Sequence, residues 1–539
     1  MLRKLSLLSL LVSFVVASAP AQTKFEYPKP KKVDQVDNYH GTMVRDPYRW
    51  MEDAPLNADT SAWIESQNQL TNSYLATIPE REAIKARLTE LWNYERYSAP
   101  AKITDGFYIY SKNDGLQNQS VLYKTTSISD PGTIFFDPNK LTADGTAALS
   151  GSSFTDDGKL WAYGIAKSGS DRTEWRVMNV ATGEYLSDTL SPNRQGGISW
   201  LNDNSGFYYS SYPPAEKGQE LKTTTYFQKL YFHKLGTPQS EDYVVYERPD
   251  NKEYFVGGGV TEDGNWLIIN VGKGTERMNM VYFKNLTMER AGILPLVTDL
   301  KNSYSFIGNN EATFYFRTDK DAPRGKVVSV NALEANLTWK DVIPESADTL
   351  NGVQFVNNQF VLNYMKDAYT KIKIYETDGK FVRDVELPGI GSAGGFGGRR
   401  ADTETFYSYS SFNSAPAIYR YDMKKGKSKL FRQAKVKFKP KKYEVKQIFY
   451  NSKDGTRVPM FIVHKKGLKL NGKNPTLLYG YGGFNIPQTP GFSVARLPWL
   501  EMGGVYAVAC IRGGSEYGKE WWANGAKLKK QNVFDDFIA

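Results

Sequence analysis

The stretch Thr261–Asn270 reads TEDGNWLIIN, in which an Asp-Gly pair leads directly into a run of apolar and aromatic residues. Asp-Gly favours a tight turn, and β-branched or aromatic side chains favour a strand on a half-buried surface. The same pattern occurs seven times, with turns at Asp105-Gly106, Asp157-Gly158, Ser205-Gly206, Asp263-Gly264, Asn309-Asn310, Asn357-Asn358 and Asp402-Thr403. The turns are separated by 52, 48, 58, 46, 48 and 45 residues. A repeat of roughly 40–50 residues is typical of a β-propeller blade.

A further strand follows most of these turns about 15 residues later, in VLYKTT, WRVMNV, KLYFHKL, MVYFKNL, KVVSVNA, KIKIYET and AIYRYDM. A blade of four short strands cannot bury both of its faces alone, so blades stack radially. We therefore predict a seven-bladed β-propeller over residues 96–438. An array of β-sandwiches is the alternative, but a long run of strands at nearly constant period favours the propeller.

The segment before the repeats is predicted to be helical from about Thr60 to Tyr94, with Asp59 or Thr60 as the N-cap. Its residues at helical spacing are Trp63, Gln67, Leu70 and Tyr74, followed beyond Pro79 by Ile84, Leu88 and Leu91.

The segment after the repeats has the pattern of an open α/β sheet. Lys446–Ser452 and Arg457–Lys465 flank Asp454-Gly455 and predict a β-hairpin. Thr476–Tyr479 and Val505–Ile511 are predicted to be buried strands, and each runs into a glycine-rich loop. In such sheets, binding sites lie at the carboxyl ends of the strands.

The N-terminus has the pattern of an export signal. Arg3 and Lys4 are followed by the apolar run Leu5–Val16 and by small residues up to Ala21. We predict a signal peptide over residues 1–21, cleaved before Gln22. The apolar run is shorter than the roughly 20 residues that span a bilayer, and a buried N-terminal helix is the alternative. We expect an exported protein, periplasmic or extracellular, without a stable membrane anchor.

The composition argues against several classes of partner and cofactor. The formal net charge is +10, but the basic residues are scattered apart from a run over Lys424–Lys442. That run is interpreted as a solvated strand edge or linker, with an acidic partner as the alternative. The single cysteine, Cys510, lies in an apolar run and is expected in the core. We expect no intrachain disulfide, metal, cofactor or nucleic-acid partner.

Three segments near the carboxyl end resemble the prolyl oligopeptidase family. They are LLYGYGGF at Leu477–Phe484, GGVYAVACIRGGSEYGKEWW at Gly503–Trp522 and QNVFDDF at Gln531–Phe537. The resemblance extends to RDPYRWMED at Arg45–Asp53, to YFQKLYFHKLGT around His233 and to SKDGTRVPMFIVHKKG at Ser452–Gly467. It covers essentially all of the chain after the predicted signal peptide.

This resemblance implies a seven-bladed β-propeller inserted in an α/β-hydrolase domain. Residues 22–95 would pack on the hydrolase domain, residues 96–438 would form the propeller, and residues 439–539 would form only the first part of the hydrolase sheet. The implied activity is that of a monomeric serine endopeptidase that cleaves short peptides on the carboxyl side of proline.

The catalytic triad of such an enzyme cannot be assembled from these residues. The fold requires a nucleophilic Ser in a G-x-S-x-G turn, followed by an Asp and a His, and no such motif occurs. The nearest candidate, Ser515, is followed by Tyr517 where the motif needs glycine. The only histidines, His40, His233 and His464, precede the expected position of the nucleophile and are interpreted as surface or packing residues.

Two residues carry roles by resemblance. Tyr481 matches the position whose hydroxyl helps to form the oxyanion hole, and Phe484 matches an aromatic wall that packs on the proline ring. The alternative for both is a place in the hydrophobic core. A flat apolar wall suits a pyrrolidine ring because both of its faces are nonpolar.

A second function remains open, namely a noncatalytic propeller that binds peptides or proteins. Against it stands the hydrolase-like segment 446–539, which would be a remnant with unburied strands. Residues 532–539 have the pattern of the first turns of an amphipathic helix, so we expect the natural sequence to continue. The 539-residue chain itself is expected to be inactive.

Overall fold

A computed structural model describes residues 25–53, 57–104, 106–194, 196–214 and 225–539. The chain forms two compact units, one ending at Arg87 and the other running from Leu88 to Ala539. The predicted signal peptide and Asp105 of the first turn lie outside the described residues. Within those ranges, no helix combines the length and the apolar character needed to cross a membrane.

The first unit contains a β-hairpin and a long helix. Its elements are β1 (Val36–Tyr39), β2 (Thr42–Arg45) and α1 (Ala58–Ala76), and α2 (Arg81–Trp92) contains the boundary to the second unit. Both helices agree with the prediction, but the predicted N-cap of α1, Asp59 or Thr60, was wrong. Asn57 caps α1, because its side chain accepts a hydrogen bond from the backbone N–H of Asp59. The Thr60 hydroxyl instead donates to the carbonyl of Trp50.

The second unit begins with seven antiparallel sheets in chain order, called blades 1 to 7. Blade 1 comprises β3 (Arg96–Tyr97), β4 (Ala101–Thr104), β5 (Phe107–Asn113), β6 (Val121–Thr125) and β7 (Thr133–Phe136). Blade 2 comprises β8 (Ala147–Phe154), β9 (Leu160–Lys167), β10 (Thr173–Asn179) and β11 (Tyr185–Asn193). Blade 3 comprises β12 (Ser199–Trp200), β13 (Gly206–Ser211), β14 (Lys229–Lys234) and β15 (Tyr243–Tyr246).

The other four blades repeat the arrangement. Blade 4 comprises β16 (Tyr254–Val260), β17 (Trp266–Lys273), β18 (Asn279–Asn285) and β19 (Leu294–Val297). Blade 5 comprises β20 (Tyr304–Asn310), β21 (Thr313–Thr318), β22 (Lys326–Asn331) and β23 (Lys340–Ile343). Blade 6 comprises β24 (Thr349–Val356), β25 (Gln359–Lys366), β26 (Tyr369–Glu376) and β27 (Phe381–Val385). Blade 7 comprises β28 (Ser392–Gly397), β29 (Glu404–Ser411), β30 (Ser414–Asp422) and β31 (Lys427–Gln433).

The turn of the opening motif joins β16 to β17, the first two strands of blade 4. The carboxylate of Asp263 accepts hydrogen bonds from the Thr261 hydroxyl and from the backbone N–H of Asn265, the latter at 3.1 Å. Asp157 makes the same two bonds in blade 2, with the Thr155 hydroxyl and the Lys159 backbone. A short side chain that bonds to the backbone two residues on stabilises a turn locally.

Hydrophobic clusters fill the interfaces between consecutive blades, from blades 1 and 2 through to blades 6 and 7. Trp161 of blade 2 stacks on Tyr163 and packs edge-on against Phe136 of blade 1. The aromatic residues that predicted strands therefore lie between blades.

Polar side chains join blade 7 back to blade 1. Lys102 Nζ donates to Asp402 at 2.8 Å, and the Tyr108 hydroxyl donates to Glu404 at 2.9 Å. The guanidinium of Arg432 lies 4.2 Å from the ring centre of Tyr97. The first and seventh sheets thus meet, which a linear array of sandwiches would not do, and the propeller prediction is confirmed.

A four-stranded α/β sheet follows the propeller. Its strands are β32 (Tyr443–Asn451), β33 (Arg457–Lys465), β34 (Thr476–Tyr479) and β35 (Val505–Ala509), in the order β32-β33-β35-β34. β34 pairs with β35 in parallel, whereas the other pairs are antiparallel. The helices of this region are α3 (Leu497–Glu501), α4 (Lys519–Ala523) and α5 (Gln531–Ile538).

The predicted burial of β35 and of Cys510 is confirmed. The basic run before this sheet includes β31, the exposed outermost strand of blade 7, as its interpretation as a solvated strand edge predicted. The prediction that Thr476–Tyr479 is buried was wrong, since all four residues are exposed. The physical reason is that β34 is the edge strand of this sheet, where β35 is its single partner among the described strands.

A buried ion pair attaches α5 to the loop after β35. The guanidinium of Arg512 donates to Asp536 at 2.6 Å, and the Arg512 backbone N–H donates to the same carboxylate at 2.9 Å. Burial alone would lower the pKa of Arg512, but the hydrogen bonds to Asp536 and Asp454 raise it. These hydrogen bonds fix α5 beside the loop that follows β35.

Candidate active site

Tyr481 and Phe484, the two predicted site residues, lie on the loop 480–488, which follows the carboxyl end of β34. Their side chains are 44% and 69% exposed, unlike those of core aromatic residues. Within the described part of the chain, the Tyr481 hydroxyl has no hydrogen-bond partner. It is therefore free to donate to another group.

Hydrogen bonds hold this loop against a second glycine-rich loop, residues 512–518. The backbone N–H of Asn485 donates to the carbonyl of Gly513 at 3.0 Å. The backbone N–H of Gln488 donates to Glu516 Oε1 at 2.8 Å, and the Cys510 thiol donates to the Gln488 carbonyl at 3.1 Å. The loop that carries Tyr481 is thus held through the backbone of Asn485 and through the backbone of Gln488, its last residue.

Glycine is required where the loop 480–488 touches α5 and the second loop. Gly482 has a φ of +65°, and a Cβ there would lie 2.3 Å from the Val533 side chain. Gly513 has a φ of +93°, and a Cβ there would lie 2.5 Å from the Gly482 carbonyl oxygen. Only the absence of a side chain allows this approach.

Phe484 and Asn485 are both in the left-handed backbone region, with φ of +50° and +59°. Such a conformation costs a non-glycine residue about 1–3 kcal/mol and is frequent at functional sites. Here the Asn485 bonds to Gly513 and to the Arg277 guanidinium, the latter at 3.1 Å, hold the strained segment. Arg277 belongs to the loop between β17 and β18 of blade 4, so the propeller contributes directly to the geometry of this loop.

Glu516 is fully buried between the loops. Its Oε1 accepts the Gln488 bond, while its Oε2 has no hydrogen-bond partner among the described residues. Burial raises the pKa of Glu516 to about 7. Its backbone carbonyl accepts a hydrogen bond from the Thr349 hydroxyl of blade 6 at 3.2 Å. Glu516 therefore connects the Tyr481 loop with the propeller.

Ser515, His233 and His464 lie on different elements of the second unit, and His40 belongs to the first unit. Ser515 is buried in the loop 512–518. His233 is buried between Asp188 and Asp242, His464 is buried in β33, and His40 lies in the exposed turn between β1 and β2. In the described ranges, no Ser, Asp and His come together as a triad.

Sequence reasoning missed Arg277 and Glu516. Glu516 stands inside a recognised motif, but its burial and its bond to Gln488 depend on the tertiary fold. Arg277 is 208 residues away from its partner Asn485, and nothing in its local sequence distinguishes it from other arginines.

Comparisons with known proteins agree with this arrangement. The family described as "Prolyl oligopeptidase, N-terminal beta-propeller domain" matches residues 27–434, and "Prolyl oligopeptidase family" matches residues 490–539. The prolyl endopeptidase of Elizabethkingia meningoseptica is 42% identical over 538 residues, which are 99% of this chain and 75% of that protein. The dual function macrocyclase-peptidase POPB of Galerina marginata is 33% identical over 95% of this chain and 75% of its own length.

Solved structures give the same result. A structure from a study of two prolyl endopeptidases superimposes with a TM-score of 0.89 at 36% identity, and covers 95% of this chain and 75% of its own. Prolyl oligopeptidase B from Galerina marginata, bound to a 25mer macrocyclization substrate, has a TM-score of 0.89 at 32% identity. That match covers 95% of this chain and 76% of the other. The identity over nearly the whole chain, together with the propeller and the α/β sheet, establishes that the chain belongs to the prolyl oligopeptidase family of serine peptidases.

Proposed function

We propose that the protein is an endopeptidase that cleaves short peptides on the carboxyl side of proline. The observation that carries this proposal is the position of Tyr481 and Phe484 together on one exposed loop at the end of a parallel strand. Relatives that are 42% identical are named prolyl endopeptidases, and a related enzyme has been solved with a peptide substrate bound. These similarities support a peptide as the substrate.

Tyr481 is proposed to donate its hydroxyl to the oxyanion that develops when the nucleophile attacks the scissile carbonyl. Its unpartnered hydroxyl and its rigid glycine-rich loop suit that role, because a donor fixed in advance needs no reorganisation during the reaction. Phe484 is proposed to pack on the proline ring, since its largely exposed ring offers a flat apolar surface.

The 539-residue chain by itself is proposed to be inactive, because no elbow serine and no suitably placed histidine occur in it. The purified chain should not release the chromophore from a chromogenic proline-containing peptide. Steady turnover that a serine-directed phosphonate abolishes would contradict this.

Reading the encoding nucleic acid past the codon for Ala539 tests the catalytic assignment. We expect an open reading frame with a G-x-S-x-G motif, whereas an immediate stop codon would favour the noncatalytic peptide-binding alternative. The enzyme that contains the motif should cleave after proline and not after alanine in a matched pair of peptides. Equal cleavage of the two would contradict proline specificity.

Export to the periplasm or the medium is part of the same proposal, on the basis of the N-terminal pattern described above. Mass spectrometry of the exported protein should give an N-terminus at Gln22, and a retained Met1 would contradict a cleaved signal peptide.

A further inference from the structure

A cavity of about 270 Å³ lies between the propeller and the two glycine-rich loops. Blades 4, 5 and 6 contribute one wall, which includes Arg277 and Arg317. The opposite wall includes Asn485, Pro487 and Ser515, so it contains the residue directly after Phe484. An occupant of this cavity would therefore contact the loop that carries the proposed site.

The cavity is strongly positive. Three arginines line it, Arg277, Arg317 and Arg324, against one carboxylate, that of Asp319, which leaves a net charge of 3 − 1 = +2. Asp319 already accepts a hydrogen bond from the backbone N–H of Ser303 at 2.8 Å and lies 3.9 Å from Lys519 Nζ. Part of the negative charge of Asp319 is therefore compensated by groups other than Arg277 and Arg317.

Arg277 and Arg317 are poorly neutralised. Arg277 donates to the Asn485 side chain, and Arg317 donates to the Leu350 carbonyl at 2.9 Å. Across the described residues, neither guanidinium has a carboxylate oxygen within 4.0 Å. Burial lowers the pKa of both, and the charge of Arg277 lowers the pKa of Arg317 further, while the charge of Asp319 offsets part of this lowering in both. Both nevertheless stay protonated, so each retains donors for an anion.

Two partly buried guanidinium groups without a carboxylate partner are costly unless an anion accompanies them. Guanidinium groups match carboxylates in particular, because two parallel N–H donors fit the two oxygens. The cavity is smaller than the roughly 300–1,000 Å³ of pockets that enclose drug-sized ligands. It therefore suits a terminal group and not a whole peptide.

We propose that this cavity is a carboxylate-binding pocket for peptides, in which Arg277 and Arg317 bind either the C-terminal carboxylate or an acidic side chain. We take the ligand to be a peptide because of the proposed function, since the cavity adjoins the proposed proline site. Bound carboxylate would also connect blades 4 and 5 to the loop that holds Tyr481 and Phe484.

Isothermal titration calorimetry on the 539-residue protein tests the pocket without requiring turnover. The probes are Ac-Gly-Pro-Ala with a free carboxylate, the same peptide amidated, and amidated Ac-Gly-Pro-Asp. We expect the free acid to bind about tenfold more tightly than the amide, which corresponds to one charge-assisted hydrogen bond. Tight binding of the Asp amide would assign the site to acidic side chains, and weak binding would assign it to the C-terminus.

Arg277→Gln and Arg317→Gln should each reduce the preference for the acid to less than about threefold. Arg290→Gln is the matched control, since Arg290 is exposed on blade 4 and does not line the cavity. Circular dichroism checks that each variant is folded. If one arginine variant does not fold, the binding data of the other test the proposal. If neither folds, the comparison of acid and amide binding to the wild-type protein tests it.

If neither the free acid nor the Asp amide binds more tightly than the Ala amide, or if no peptide binds, the proposal is overturned. Survival of the preference in both arginine variants, or its loss in Arg290→Gln, would overturn it as well. The pair Ac-Gly-Ala-Ala acid and amide separates this pocket from the proposed function. A preference for the acid without any preference for proline would uphold the pocket and contradict proline specificity.

Discussion

At the scale of single residues, the loop 480–488 puts two aromatic side chains with different proposed tasks three positions apart. Tyr481 offers a hydroxyl and Phe484 offers a ring face. Both are exposed, and both are fixed through the backbone bonds of Asn485 and Gln488. Substitution of each should therefore affect a different kinetic constant.

In the catalytically complete enzyme, Tyr481→Phe should lower kcat by about 10²–10³ and leave KM nearly unchanged. The reason is that the oxyanion develops only in the transition state, so substrate binding barely senses the hydroxyl.

Phe484→Ala should raise KM and weaken discrimination for proline, because it removes apolar contact that is made in both the ground state and the transition state. Steady-state kinetics measures both effects. A wild-type kcat in a correctly folded Tyr481→Phe enzyme would exclude the proposed role.

Glu516 predicts a pH dependence of stability. Its folded-state pKa of about 7 lies above the roughly 4.3 of an unfolded glutamate. The folded state therefore holds the proton more tightly, and the stability from this group is present below the unfolded pKa and lost as the pH rises through 7.

Glu516→Gln should flatten the dependence of Tm on pH between about 4.5 and 7. The wild-type protein should lose on the order of 3 kcal/mol over that range through this group, whereas the amide keeps an oxygen for the Gln488 N–H and cannot titrate. Thermal unfolding followed by circular dichroism is the measurement. Glu520→Gln, an exposed neighbour, is the control and should leave the wild-type profile unchanged. Parallel profiles for wild type and Glu516→Gln would refute the assignment.

At the scale of secondary-structure elements, a buried charge cluster joins blades 2 and 3. His233 of β14 lies with Nε2 3.0 Å from Asp188 of β11 and Nδ1 2.7 Å from Asp242. Each ring nitrogen faces a carboxylate, so both must carry a proton to donate. Burial alone would lower the pKa of His233, but the hydrogen bonds to Asp242 and Asp188 outweigh it and raise the pKa.

The raised pKa means that the stability from His233 is fully present below about 6.5 and is lost as the pH rises through the folded pKa. His233→Gln should destabilise the protein by about 3–5 kcal/mol at pH 6, because it leaves buried carboxylates without their cation. The difference from wild type should narrow at pH 9. Chemical denaturation at both pH values measures it, with the exposed His40→Gln as the control. A difference that is the same at both pH values would show that the imidazolium charge is not involved.

At the scale of the whole molecule, the second unit depends on the closure of its ring of blades. Each interface between consecutive blades contains a buried apolar cluster, whereas blades 7 and 1 meet through Lys102–Asp402, Tyr108–Glu404 and the stacking of Arg432 on Tyr97. Asp402 also accepts the backbone N–H of Arg399. This interface should therefore open first when the ring is perturbed.

Asp402→Ala should destabilise the protein by about 2 kcal/mol, the typical value of hydrogen bonds to a charged group. Amide hydrogen exchange should accelerate in β4, β5 and β29, at the interface of blades 1 and 7, more than in blades 3 to 5. The exposed Asp130→Ala in blade 1 serves as the control. Uniform acceleration across all seven blades would mean that this interface is not the weakest part of the ring.

Much of the architecture could be predicted because its signals are local. The turn at Asp263-Gly264 is stabilised by bonds within five residues, and the hairpin around Asp454-Gly455 is equally local. The N-cap of α1 was misplaced by two or three residues because Asn57, Asp59 and Thr60 are all good caps. The burial of Thr476–Tyr479 was overestimated, because an apolar tetrapeptide does not indicate whether its strand is central or at an edge.

The sequence by itself determined the repeat of seven blades, the change to an α/β sheet and the loop that carries Tyr481 and Phe484. Each of these is encoded by residues close together in the chain, so periodicity and turn chemistry suffice. Only the tertiary structure decided the burial of Glu516, the pairing of His233 with two carboxylates and the approach of Arg277 to Asn485. Those contacts join residues that are far apart in sequence, and charge or pKa there depends on what surrounds each group after the chain has folded.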